Sequence, residues 1–160
     1  EIVAFLDADV ILPDHWLKRA LEIFDKRKKV VAIAGPYWYK EGPILLQIGT
    51  VIMTVFFDYP FYILLHYILR KTGIIFGGNL IVRKSALEKI GGLDVNIKFW
   101  GDDVDTAKRL RRTGLVIFAL YQYVYTSPRR FLAEGMFRTL FKYIFNYFWV
   151  VFFDKPFSKN

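Results

Sequence analysis

Apolar residues along this 160-residue chain gather in short unbroken runs, separated by charged clusters and by stretches of helical periodicity. Ile2 to Leu6 is five apolar residues in a row and reads as a strand buried on both faces, as in the centre of a parallel sheet. Pro13-Asp14-His15-Trp16 follows, and then Leu17, Ala20, Leu21 and Phe24 recur at helical spacing on one face. The polar end of that helix, Lys26 to Lys29, leads into a second buried run, Val30 to Ala34, closed by Gly35-Pro36. Strand, helix, strand is a βαβ unit. A third short run, Leu80-Ile81-Val82, follows Gly77-Gly78-Asn79. Ser85-Ala86-Leu87-Glu88 has the spacing of a helix-capping box, with Gly91-Gly92 as the stop. Asp102 to Arg112 reads as a helix ended by Gly114, and Leu115 to Tyr125 as one strand rich in aromatic and β-branched residues.

Acidic residues concentrate at two of these boundaries. Asp7 and Asp9 stand directly after the first run, and on an alternating pleat their side chains point to the same side. Ligands of open α/β sheets bind beyond the carboxyl ends of the strands. Two hard oxygen ligands there suit Mg²⁺ or Mn²⁺ bridging to a diphosphate. Asp is also an ordinary turn former and helix cap, so the pair alone leaves a turn as the plain alternative. The second cluster, Asp102, Asp103 and Asp105, opens a basic helix, and as bare residues it equally describes a favourable acidic first turn. Gly77-Gly78 fits a tight turn, and Arg129-Arg130 a solvated basic pair. Trp16 reads as a packing anchor. Tyr37, Trp38 and Trp100 are the candidates for stacking on a sugar, against core packing as the default for aromatics. His15 and His66 have no ligand spacing and receive no functional role.

Composition shifts the picture toward a membrane surface. Hydrophobic residues make up 54% and aromatics 19% of a chain whose net charge is +8. Residues 44 to 69 are almost wholly apolar, but Gln47, Asp58, Pro60 and His66 interrupt them. The clean pieces fall short of the ~20 residues that span a bilayer. A re-entrant, interfacial or acceptor-covering segment is expected, with a buried core helix as the alternative. From Ala133 to Phe153, Glu134, Arg138, Lys142 and Asn146 form one narrow polar stripe on an otherwise apolar helix. Such a helix lies in a membrane interface, or docks on another part of the protein. The positive charge fits an anionic lipid surface or a phosphorylated donor, although nucleic acid would also attract it. Zero cysteines exclude a disulfide scaffold and a thiolate metal site.

Taken together, Asp7-Ala8-Asp9 after a buried strand, the stretch Gly77 to Asp94, and Gly101 to Gly114 resemble the catalytic half of a family 2 glycosyltransferase, over about residues 1 to 131. The resemblance implies an α/β fold of the GT-A type, Rossmann-like, with its first strands and base-recognition residues upstream of Glu1. Residues 1–131 would be the catalytic domain and 132–160 a membrane-associated tail. It implies inverting transfer of a sugar from a nucleotide-sugar donor, assisted by Mg²⁺ or Mn²⁺. By position, Asp7 and Asp9 would be the metal and diphosphate ligands and Asp103 the base. Arg129 and Arg130 would lie near the diphosphate, and Gly77, Gly78, Asn79, Trp100 and Asp102 would line the substrate side. Asp102 stands where the family more often has Glu. The Gln-x-x-Arg-Trp signature of processive synthases is absent, with Arg129-Arg130-Phe131 in a broadly similar place. At the N-terminus of its helix, Asp103 is expected to be ionised through the dipole. The expected partners are the donor, a lipid-linked or saccharide acceptor, and the membrane at its cytoplasmic face, with no nucleic acid. A non-catalytic binding module on the same fold stays open as the alternative.

Overall fold

The computed structural model describes residues 1–68, 74–94, 102–135 and 145. In chain order its first elements are β1 (Ile2–Leu6), α1 (Trp16–Lys26), β2 (Val30–Ala34) and β3 (Tyr37–Tyr39). A long helical rod follows. It comprises α2 (Ile44–Met53), a π-helical turn (Thr54–Asp58), α3 (Tyr59–Ile63) and a second π-helical turn (Leu64–Ile68). The second half contains β4 (Asn79–Arg83), α4 (Lys84–Lys89), α5 (Asp102–Arg111), β5 (Leu115–Phe118), β6 (Val124–Thr126) and α6 (Arg129–Glu134).

The main sheet has the order β1-β4-β2-β5, and a separate pair joins β3 to β6 in parallel. β4 runs antiparallel to both neighbours, Ala4 facing Ile81 and Ile33 facing Ile81 from the other side, while β2 and β5 are parallel. β2 is buried at every position, as its unbroken apolar run requires. Side chains alternate across the sheet. Ile33, Ile81 and Ile117 meet Trp16, Ala20 and Phe24 of α1. On the opposite face Ala34, Leu80, Val82, Val116 and Phe118 meet Val104, Ala107 and Leu110 of α5, together with Tyr62 and Leu65 of the rod. Helices on both faces of one sheet give a three-layer α/β sandwich.

Several sequence expectations are corrected. β1 is an edge strand with a single neighbour, so it is half-exposed rather than buried on both faces, and Leu6 is 40% exposed. The inward face of α1 is Trp16, Ala20, Ile23 and Phe24, whereas Leu17 and Leu21 point outward. The wide indole of Trp16 takes the first core position and rotates the helix away from the face that Leu17 marks. Residues 115 to 125 form two strands, because a turn interrupts them between Phe118 and Val124, closed by Gln122 N–H on Ala119 C=O at 2.9 Å. Ser85 does not cap α4. The helix begins at Lys84 with Arg83 at its N-cap and no side-chain cap bond. The glycine stop does hold: Gly91 and Gly92 have φ of 74° and 81° and return N–H bonds to Glu88 and Leu87.

Residues 44 to 68 form one continuous 25-residue helix despite the four interruptions, long and apolar enough by length and composition to cross a membrane. Pro60 has no N–H for the helical ladder, and the π-helical turn just before it takes up the irregularity. Trp100 lies outside the described residues, as does nearly all of the stretch 133–153 expected to be amphipathic.

Candidate active site

The site is built where the C-terminal end of β1 meets the N-terminal end of β4. β1 stops at Leu6, and Asp7 to Val10 form a turn closed by Val10 N–H on Asp7 C=O at 3.3 Å. Asp7 and Asp9 are therefore turn residues, and the strand pleat that was expected to align them does not extend that far. The two point to different partners. Asp7 N–H donates to Gly78 C=O at 3.2 Å, which continues the β1–β4 ladder by one step and fixes the backbone. Asp9 pairs with Arg129 at 3.3 Å, an exposed contact contributing on the order of 0.5 kcal/mol.

Gly77 and Gly78 sit under the carboxylates. A Cβ added to Gly78 would coincide with the Asp7 carboxylate, and one added to Gly77 would collide with Asp103 Oδ1. The Gly77 amide hydrogen-bonds Asp103. Tyr37, at the head of β3, donates its hydroxyl to Asp7 Oδ2 at 3.1 Å and rests its ring on Phe76 with centroids 5.4 Å apart. Two acidic residues far apart in sequence are thus brought onto one two-residue stretch of bare backbone. Asp102 is exposed beside Asp103 and acts on it through charge. Asp105, the third acid of the cluster, belongs to the framework. It binds Arg109 Nε at 2.6 Å, and Arg109 donates to the carbonyls of Ile90 and Gly92, tying α5 to the end of α4.

The electrostatics of Asp103 differ from expectation. Its carboxyl is pushed up to about 7, first by burial and next by the charge of Asp102, with Asp7 adding to the rise; the Gly77 amide opposes it. The helix dipole, which was expected to keep Asp103 ionised, is outweighed. Burial and the Asp7 charge hold the Tyr37 phenol above the usual tyrosine range, so it is a neutral donor.

Asn79, expected on the substrate side, faces the interior and is fully buried. Its Oδ1 accepts from Trp16 Nε1 at 3.1 Å, and its Nδ2 donates to Gln122 C=O at 2.8 Å. Gln122 Nε2 in turn donates to Trp16 C=O at 2.8 Å. This closed circuit ties α1, β4 and the β5–β6 turn together beneath the site, and it accounts for Trp16 as an anchor. Arg130 follows Arg129 in α6. Tyr37 is not an open stacking platform, since Phe76 and Asp7 engage its ring and hydroxyl. The bond from Tyr37 to Asp7 had no signal in the sequence, because no periodicity relates the two positions.

Among the described residues no group of three or more His, Cys, Asp or Glu forms a metal cage. Mg²⁺ and Mn²⁺ need less: one or two carboxylates suffice when substrate phosphates and water complete the shell. Asp7 and Asp9, exposed hard-oxygen donors at a strand end, fit that requirement. The four carboxylates of Asp7, Asp9, Asp102 and Asp103, with Arg129 beside Asp9, make an acidic spot on a chain of net charge +8.

The family described as Glycosyl transferase family 2 matches residues 1–91, and that described as N-terminal domain of galactosyltransferase matches residues 65–129. No curated protein matches the chain. The first match covers more than half of the sequence, and the chain belongs to glycosyl transferase family 2. It is a glycosyltransferase that takes a nucleotide-sugar donor and an acceptor, and its mixed α/β sandwich is the GT-A type of fold. The acidic turn, the glycine pair and the start of β4 lie within the first match, and Asp103 lies within the second.

Because the folded state favours protonated Asp103, its ionisation weakens the fold. Stability falls as pH rises from the ordinary carboxylate pKa of 3.8 toward about 7, and the full penalty persists above that. Asp103→Asn, neutral at every pH, is expected to unfold with the same free energy as wild type at pH 4 in chelator. At pH 8 it should be more stable by on the order of 4 kcal/mol. Urea titrations at the two pH values check this, and equal stability at pH 8 would contradict it.

Proposed function

We propose that the protein is an inverting transferase that moves a sugar from a nucleotide-sugar donor to a membrane-proximal acceptor, lipid-linked or saccharide, with Asp103 as the base. The observation that carries this reading is the meeting of Asp7 and Asp103 on Gly77-Gly78. Donor binding falls to the acidic turn. Asp7 and Asp9 would hold Mg²⁺ or Mn²⁺, which supplies positive charge against the diphosphate when bound. Arg129 adds a movable cation at the same end, because its side chain is 78% exposed and its bond to Asp9 is weak.

In the transfer step the acceptor hydroxyl oxygen bonds to the anomeric carbon from the face opposite the diphosphate. The bond from that carbon to the phosphate oxygen breaks, and its electron pair leaves with the nucleoside diphosphate. The hydroxyl proton goes to Asp103. A carboxylate with a pKa of about 7 is far better matched to proton acceptance near neutrality than an ordinary one. An acceptor that is itself a phosphate needs no base, and Asp103 would then only position it.

Membrane association is supported by the rod. Tyr62, Leu65 and His66 are buried at its far end, so the helix is attached to the catalytic core. Its outer side exposes Ile44, Leu45, Ile48, Ile52, Phe56 and Phe57, with Phe56 69% exposed. The attachment of its far end to the folded core favours a rod that lies in the interface. Residues 132–160 would form a second contact. The reading places the enzyme on the cytoplasmic face, where its donor would be supplied.

Asp9→Asn is expected to weaken Mn²⁺-dependent nucleoside diphosphate binding at least tenfold by calorimetry. Asp103→Asn should bind the same ligand within about twofold of wild type, yet lose at least 100-fold in kcat with a hydroxyl acceptor. Turnover close to wild type in Asp103→Asn would reject the base.

The membrane reading has its own assay. Wild type should float with vesicles containing anionic lipid, and Phe56→Ser/Phe57→Ser should stay behind, since each buried aromatic contributes about 2 kcal/mol. Wild type remaining at the bottom of the gradient would reject it.

A further inference from the structure

Tyr37 reaches from the inner layers of the fold to the acidic turn and donates a hydrogen bond there. Its position is set by its backbone and by its ring. The backbone of β3 is paired to β6, with Tyr37 opposite Val124. The ring lies against Phe76, and Phe76 in turn meets Phe118 of β5 edge-on with centroids 5.6 Å apart. This aromatic chain ends in the buried core, on Phe118 at the end of β5. The hydroxyl therefore emerges at a point that the core fixes, next to the Gly78 backbone and the Asp7 carboxylate.

Asp7 by contrast is an exposed residue at the end of an edge strand. Its backbone is held by the bond to Gly78, but a short carboxylate on an exposed turn has several rotamers open to it. Among the described residues the side chain that hydrogen-bonds its carboxylate is Tyr37, at 3.1 Å. That bond draws the carboxylate down onto the glycine, in the place a Cβ would otherwise take. Nothing in the ring packing needs the hydroxyl, since Phe would rest on Phe76 equally well. The oxygen has its partners in the Asp7 carboxylate, to which it donates, and in the Gly78 backbone beside it.

We propose that Tyr37 is a positioning residue of the donor site, whose hydroxyl holds the Asp7 carboxylate against Gly78 in the orientation that binds the cation and diphosphate of the donor. The inference rests on the reading of Asp7 as a donor ligand. Tyr37 itself touches neither donor nor acceptor. It acts as the outer-layer partners of metal-binding carboxylates do, by removing the rotamers that do not bind.

The test uses the whole chain, with Mn²⁺ and either UDP or GDP as the probe, followed by calorimetry and a thermal melt. Tyr37→Phe keeps the ring. It is expected to melt with wild type and to need about tenfold more Mn²⁺ for half-maximal nucleotide binding. At saturating Mn²⁺ its nucleotide affinity should return to within about twofold of wild type. A role in packing alone gives a different pattern: the melting temperature falls, and excess Mn²⁺ does not restore binding. That outcome overturns the proposal, and so does a Mn²⁺ requirement equal to wild type. Wild type binding neither nucleotide at any Mn²⁺ concentration would remove the donor-site reading itself, and this inference with it.

Discussion

Two carboxylates from distant parts of a chain can rest on the same stretch of backbone only where that stretch carries no side chains. Gly77-Gly78 meets this condition, and the site follows from it. One methyl on either glycine would occupy space held by Asp7 or Asp103. The glycines are held in turn by what surrounds them. Gly78 continues the ladder between β1 and β4, Phe76 before them is pinned between Tyr37 and Phe118, and Asn79 after them is locked into the Trp16–Gln122 circuit. The bare backbone is thus a rigid floor, flanked on both sides by buried anchors.

That floor also explains the division of labour between the two acids. Asp7 follows an edge strand and stays open to solvent, in keeping with the donor-ligand role proposed for it. Asp103 comes from the first turn of a helix packed into the core, and burial raises its carboxyl to about 7. One fold gives two carboxylates different proton affinities through their surroundings. Asp105, two residues further along α5, is removed from the chemistry by its bond to Arg109. In the proposed reading this acidic spot on a +8 chain is where a cation is bound and a proton taken, with the exposed apolar rod on the outside.

Much of this was legible in the residues. The runs Ile2–Leu6 and Val30–Ala34 became strands with those bounds, Leu80-Ile81-Val82 became the middle of β4, and Gly91-Gly92 and the start of α5 fell where expected, since local preference and burial agree there. What escaped depended on neighbours distant in sequence. An apolar run does not tell a central strand from an edge strand, so β1 was placed too deep. Leu17 and Leu21 mimic a core face, but Trp16 takes the inward position. Residues 115 to 125 carry strand-forming types throughout, and the turn among them is closed by backbone and by Gln122 rather than by Gly or Pro. Asn79 looked like a substrate contact beside its glycines, and only the fold shows its amide engaged by Trp16 and Gln122. The ionisation of Asp103 was misjudged because a helix dipole is visible in sequence and burial beside a second carboxylate is not.

The central claim is that the glycine floor forms the donor site, and Mn²⁺-dependent nucleoside diphosphate affinity in Gly78→Ala tests it most directly. Gly49→Ala serves as the control, because a methyl there meets nothing within 4 Å and lies in a helix. The expected result is a loss of at least tenfold in Gly78→Ala with circular dichroism unchanged, and wild-type affinity in Gly49→Ala. Wild-type affinity in Gly78→Ala would show that Asp7 does not need its place on the glycine, and would contradict the account.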